Sequence, residues 1–201
     1  MPGVDRRMLD RIGDEVARAT TIVRYAPKSS FSAHTHCGGE EFIVLEGTFQ
    51  DEHIDYPAGT YVRNPIGTRH VPRSDEGCTI FVKLWQFDRE DTAQFAVDMN
   101  RVSLADEPEN AGVRRKLLHK FGDEMVALEE WAAGAEIENG SSGGAELLLL
   151  NGTIKFDGSA YGKHDWIRLP AGHYGKFLAG SNGARIWIKT GHLNNVQAPN
   201  G

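Results

Sequence analysis

With 201 residues, 40% of them hydrophobic and 25% charged, the chain is long enough for one large domain or two small ones with a real core. Its formal charge of −6 and pI near 5.7 argue against a phosphate-tracking surface, so nucleic acid is not expected as a partner. No apolar run reaches the roughly 20 residues that span a bilayer, so no membrane is expected either. The start, MPGVDRRMLDRIGDEVARA, is charged and lacks the apolar stretch of a signal peptide, and Cys37 and Cys78 are too few for a disulfide scaffold. A cytoplasmic protein with two reduced thiols is expected.

In chain order, helix is expected only over about 5–18, with a further turn near 90–98. TTIVRYA, EEFIVLEG, GTYVRN and CTIFVKLWQF read as strands from their β-branched and aromatic content, and EMVALEEW, AELLLLNG, DWIRLP and ARIWIKT follow in the second half. Short strands punctuated by Gly, Pro, Asn and Asp turns predict an all-β sandwich or barrel. The polar, turn-rich stretch 88–115 reads as a linker, with Asp88 to Asp91 solvated.

The two halves align on each other. Gly38-Gly39-Glu40-Glu41 through Thr48 matches Gly143-Gly144-Ala145-Glu146 through Thr153, and Pro65-Ile66-Gly67 matches Pro170-Ala171-Gly172, at one common offset. Ile80 to Lys83 matches Ile186 to Lys189 after a one-residue slip. An internal duplication, hence two similar barrels in tandem, is the expected architecture. The runs Phe42–Leu45 and Leu147–Leu150 are apolar at every position, so both faces of each strand should be covered. The sister module is the simplest cover and a second subunit, in a homodimer, the next.

The chemistry is concentrated in the first half. His34 and His36 share one face of an extended strand, because successive side chains alternate. The Cys37-Gly38-Gly39 turn returns Glu40 to that side, and a second strand with a Pro-x-Gly turn delivers His70. Three imidazoles and one carboxylate suit zinc, iron(II), manganese or nickel, and not calcium or magnesium. One divalent transition metal per chain is therefore expected. Phe42 and Val44 share the phase of Glu40 and should line the pocket. Tyr61 and Arg63 are further pocket candidates, weighed against a plain cross-strand contact. Cys37 should point away from the ligands and Cys78 into the core. Trp85, Trp131, Trp166 and Trp187 are expected in core or interface positions, and His53, His119, His164 and His192 in satisfied or solvent-facing ones.

The spacings His-x-His-x3-Glu-x6-Gly (34–47) and Gly-x5-Pro-x-Gly-x2-His (59–70) resemble the two motifs of the cupin superfamily. The wording HTHCGGEEFIVLEGTFQDEHIDYPAGTYVRNPIG is similar to ChrR-type cupins, strongly over 20–87 and weakly over 117–193. The resemblance implies an antiparallel β-barrel around the metal, with His34, His36, Glu40 and His70 as ligands. The closing Asn of the second motif is Ser74 here. The corresponding second-half positions are Asn139, Ser141, Ala145 and Gly175, which offer no comparable site; His173 nearby is one imidazole alone. The expected organisation is an N-terminal extension over 1–19, a metal-binding module over 20–87 (to about 95), a linker over 96–115, a degenerate module over 116–195 and a tail over 196–201.

ChrR anti-sigma factors carry a separate zinc-binding domain ahead of the cupin. About 20 residues precede the barrel here, without Cys or His, so an anti-sigma role is not expected. The same ligand set in cupins implies a metal-dependent dioxygenase acting on a small enolisable metabolite such as a diketone. A non-catalytic zinc-binding sensor or regulatory module is the alternative. A small-molecule substrate or ligand is the expected partner in both.

Overall fold

The computed structural model describes residues 3–199, and among them there is no helix. Every strand pair is antiparallel, and the chain divides into two compact units, 3–101 with 197–199 and 102–196. In the first unit the main sheet runs Val4–Gly13, Ala17–Tyr25, Cys78–Leu84, Glu40–Gln50, Thr60–Asn64, Phe95–Asp98. A two-stranded ladder, His34–Thr35 with Arg69–His70, lies apart from it. In the second unit the order is Ala105–Asp106, Val113–Phe121, Glu124–Trp131, Tyr174–Thr190, Ala145–Phe156, Ser159–Tyr161. Among the described residues no helix is long and apolar enough to cross a membrane.

The expected helix over 5–18 is instead the hairpin of Val4–Gly13 with Ala17–Tyr25. Gly13, at φ +109°, takes a conformation closed to other residues, and a β-carbon there would meet the Val16 carbonyl at 2.6 Å. On this edge strand Asp5 faces solvent and pairs with Arg24 across the ladder at 2.7 Å. The segment is thus part of the first sheet and not an extension of it. The supposed linker is also partly sheet: Phe95–Asp98 pairs with Thr60–Asn64, and Val113–Phe121 opens the second unit's long hairpin. Asp91, expected to be solvated, is 4% exposed.

The duplication is visible in the registers. Glu40 pairs with Asn64 and Ile43 with Tyr61; at the same spacing Ala145 pairs with Leu169 and Leu148 with Trp166. His34 stands opposite His70 as Asn139 stands opposite Gly175. One interior face carries each core: Val23, Phe42, Val44, Phe49, Ile80 and Val82 in the first unit, Leu147, Leu149, Ile154, Ile167, Ile186 and Ile188 in the second. Both faces of the two apolar runs are buried, since Ile43 and Leu148 are as inaccessible as Phe42 and Leu147.

The opposite face of each sheet buries charge. Arg63 donates to Glu41 at 3.0 Å and to Asp91 at 2.6 Å, its guanidinium 4.3 Å from the ring centre of Phe87. Lys83, cross-strand from Glu41, donates to Thr20 Oγ1 at 3.0 Å. Glu146, Arg168 and Lys189 occupy the equivalent register positions in the second unit. Buried charges persist only when partnered, so these groups constrain register more than they add stability.

Candidate metal centre

Four side chains expected as ligands come together at one end of the first barrel. The ladder of His34–Thr35 with Arg69–His70 sets His34 opposite His70. Backbone bonds from His36 N to Thr68 O (2.9 Å) and Gly67 N to His36 O (3.0 Å) extend that pairing. The chain then reverses at Cys37-Gly38-Gly39 and enters the strand Glu40–Gln50. Glycine is required at both turn positions: a β-carbon on Gly38 would fall 2.2 Å from the Trp85 ring, and one on Gly39, at φ +76°, 2.4 Å from Phe87.

One donor atom from each of His34, His36, Glu40 and His70 lies within 4.8 Å of the others. Nε2 of His36 is 3.2 Å from Nε2 of His70 and 3.4 Å from Oε1 of Glu40, and His70 Nε2 is 3.6 Å from that oxygen. Donors about 2.1 Å from a shared ion and separated by right or tetrahedral angles would stand about 3.0–3.4 Å apart. Hydrogen bonds on the outer ring nitrogens fix the tautomers of His34 and His36. Thr68 Oγ1 spends its proton on the Pro65 carbonyl (2.7 Å), so Nδ1 of His36, at 2.9 Å from it, is the donor. Nδ1 of His34 faces the Ser32 carbonyl at 3.2 Å, which only accepts. Nδ1 of His70 faces Asp51 Oδ2 at 3.8 Å. Nε2 of the neutral His36 is thereby left with a lone pair, and it faces Nε2 of His70.

Burial favours the neutral forms of His36, His70 and Glu40. It lowers the His36 pKa to about 3, with the neighbouring His70 and His34 adding to the effect. Burial and then His34 lower His70 to about 4, with Asp51 opposing. Glu40 is raised to about 7 by burial, a hydrogen bond from Asn64 opposing, and its Oε1 is sealed without a hydrogen-bond partner. Clustered ring nitrogens and an orphaned buried carboxylate oxygen are what a divalent transition metal would satisfy, so the residues present fit such an ion.

Sequence reasoning did not find the groups behind the ligands. Asp51 is 6% exposed; it accepts from the 53 and 54 backbone N–H groups and from the Tyr56 hydroxyl, and so holds its carboxylate behind His70. A histidine ligand needs an acceptor on its outer nitrogen, but Asp51, Glu52 and Asp55 are indistinguishable in that respect until the loop is folded.

A cavity of about 350 Å³ opens beside the ligands, lined chiefly by Val23, Tyr25, Phe31, Phe49, Ile80 and Trp85. The expected pocket residues lie elsewhere. Phe42 and Val44 do face the barrel interior, but inside the packed core, where Phe42 stacks behind Phe49 at 4.7 Å between ring centres. Tyr61 and Arg63 face the opposite side, bound to Glu41 at 2.7 and 3.0 Å, because residues 41, 61 and 63 share the phase that Glu40 does not. Trp85, expected in the core, forms cavity wall. Cys37 is exposed and Cys78 buried.

The second barrel has no such centre. Asn139, Ser141, Ala145 and Gly175 hold the ligand positions, and His173 is exposed. A β-carbon at Gly175 would meet Phe156 at 2.7 Å and Phe177 at 2.9 Å, and these rings stack on each other at 4.6 Å. Phe156 stands where Asp51 stands in the first unit, so an apolar pair replaces the ligand and its acceptor together.

Residues 1–88 match the family model of the ChrR cupin-like domain. No curated protein sequence matches the chain. Among solved structures, a candidate dioxygenase from Nostoc punctiforme is similar with a TM-score of 0.75 and 16% identity, covering 98% of this chain and 83% of its own. The bacterial pirin YhhW from Escherichia coli, solved with nickel(II), gives 0.68 and 14%, covering 94% and 93%. A salicylate 1,2-dioxygenase from Pseudaminobacter salicylatoxidans gives 0.64 and 12%, covering 92% and 76%. At these identities the likeness is one of fold, and it extends over both units. With its antiparallel barrels, its clustered histidines and glutamate, and that family match, the chain has the cupin fold and carries a ChrR cupin-like domain over residues 1–88.

Proposed function

We propose that His34, His36, Glu40 and His70 hold one divalent transition metal, and that the first barrel is a metal-dependent dioxygenase acting on a small enolisable metabolite such as a diketone. The observation that carries this reading is that the four donors cluster beside an apolar cavity open to solvent, with His34, His36 and Glu40 on its wall. A purely structural zinc site needs no such cavity. Bound there, an ion with open positions would supply Lewis acidity and a meeting point for substrate and O2.

The chain's own residues do the rest. Thr68 and the Ser32 carbonyl keep His36 and His34 in one tautomer and orientation, and Asp51 stands behind His70. Val23, Phe49, Ile80 and Trp85 exclude water from the reacting atoms and favour a substrate with an apolar body. Glu40, raised to about 7, is poised to exchange a proton as the site fills. In the proposed reaction both atoms of O2 enter the two cleavage products, so no external reductant is needed. The dioxygenase named among the structural neighbours and the nickel in the pirin support the reading.

The test is elemental analysis of protein purified without a chelating tag, followed by O2 consumption on a panel of β-diketones. Iron, nickel or manganese near one equivalent with diketone-dependent O2 uptake is expected. One equivalent of zinc with no uptake would replace this reading by that of a zinc-binding sensor.

A further inference from the structure

Among the polar side chains of the cavity wall that the metal cluster does not use are Tyr25 and Arg6. Tyr25 is 7% exposed and its ring is packed edge-on against Phe31 and Phe49, at 5.3 and 5.8 Å between centres. Its hydroxyl makes no hydrogen bond among the described residues, yet it is not sealed off, because the residue lines the cavity. A buried phenol usually finds a partner within the protein. It is also close enough to Glu40 for that carboxylate, after burial, to raise its pKa, so it remains a neutral O–H donor.

Arg6 is the second. In the hairpin register Val4 stands opposite Tyr25 and Arg6 opposite Val23, which puts Arg6 on the inward face with both. Asp5 faces the other way, to Arg24. The Arg6 guanidinium lies 5.9 Å from the centre of the Phe31 ring at the cavity's edge, and it makes no ion pair among the described residues. Among the described residues it is the one lysine or arginine lining this cavity. Glu40 would cancel only half of a divalent charge, so the whole cavity favours an anion.

We propose that Arg6 and Tyr25 form a substrate-anchoring subsite, Arg6 taking a carboxylate at the mouth and Tyr25 donating to a carbonyl or enolate oxygen near the metal ligands. The inference rests on the proposed function and narrows it: the substrate is a small enolisable carbonyl acid and not a neutral diketone. Both are positioning residues for binding. A guanidinium near the surface discriminates by about five-fold and a single neutral hydrogen bond by a similar factor.

The experiment measures dissociation constants by calorimetry, under anaerobic conditions, on the metal-loaded full chain. The probes are pentane-2,4-dione and its carboxylated counterpart 2,4-dioxopentanoate. The wild type should bind the acid about five-fold or more tightly than the dione. Arg6→Gln, on an exposed edge strand, should erase that preference while leaving dione affinity unchanged. Tyr25→Phe, which keeps the ring packing, should weaken both probes by about five-fold. Equal affinities in the wild type, or a preference that survives Arg6→Gln, overturns the subsite and leaves the dioxygenase reading standing. Binding of neither probe to protein holding one equivalent of metal overturns both.

Discussion

His36 and His70 face each other with their Nε2 atoms 3.2 Å apart, and the Nδ1 proton of His36 is committed outward to Thr68. A shared divalent ion would engage both rings together with the Glu40 carboxylate 3.4 Å from His36. Removing one ligand should therefore remove the ion. His36→Ala and Glu40→Ala are expected to drop metal from about one equivalent to near zero while the protein stays soluble, since packing of Phe42, Phe49 and Val82 is untouched. Elemental analysis decides it, and unchanged metal in both variants would sink the assignment. Asp51→Asn, which still offers one acceptor to the 53 and 54 N–H groups, should weaken metal affinity by about 10–100-fold in a chelator competition.

The pH dependence follows from three shifted groups. At neutral pH the buried His36 and His70 are already deprotonated, while Glu40, raised to about 7, holds a proton that the metal must displace. Affinity should be flat above pH 7. It should fall about ten-fold per unit below it, as one proton is displaced per ion, and steepen near pH 4 as His70 begins to charge. For the metal-free protein the signs differ by group. Histidines whose pKa falls on folding lose their stabilising contribution as pH drops below 6.5. Glu40, raised from 4.5, loses its contribution as pH rises from 4.5 towards 7. With two groups against one, net destabilisation is expected from pH 6.5 downward, measurable by thermal melts of chelator-treated protein. A melting temperature that rises on acidification to pH 5 would contradict it.

Arg63 is buried between Glu41 and Asp91. Arg63→Met removes the cation and leaves two carboxylates in a dry site, which should cost about 3–5 kcal/mol in denaturant unfolding. The same change should leave the metal content of the surviving folded protein intact, because Arg63 faces away from Glu40. Loss of metal without loss of stability would contradict the face assignment.

Grafting ligands into the second barrel tests why it lacks them. Asn139→His with Ser141→His and Ala145→Glu restores three positions, but the stacked Phe156 and Phe177 occupy the approach to the fourth. High-affinity metal is expected to remain at about one equivalent in the triple variant. Adding Gly175→His should destabilise the barrel, since its β-carbon already meets Phe156. A second tight equivalent in the triple variant would show that the aromatic pair is no obstacle.

Much of this was legible in the chain because it depends on local spacing. Strand alternation put His34 and His36 on one face, two turns with required glycines fixed where Glu40 and His70 re-enter, and a repeated frame exposed the duplication and the missing second ligand set. The hairpin at Val4–Gly13 was misread because its charges fit an amphipathic helix as well as an edge strand, and only the Ala17–Tyr25 partner chooses between them.

What the sequence determined is the ligand set, since the types and spacings of four residues carry it without reference to anything distant. What only the tertiary structure decided is the company those residues keep. Asp51 behind His70, the open hydroxyl of Tyr25, Arg6 at the mouth and the burial of Arg63 all depend on strands far apart in the chain meeting in one register. A sheet's faces and neighbours are set by that pairing, and a one-residue slip would exchange every one of them.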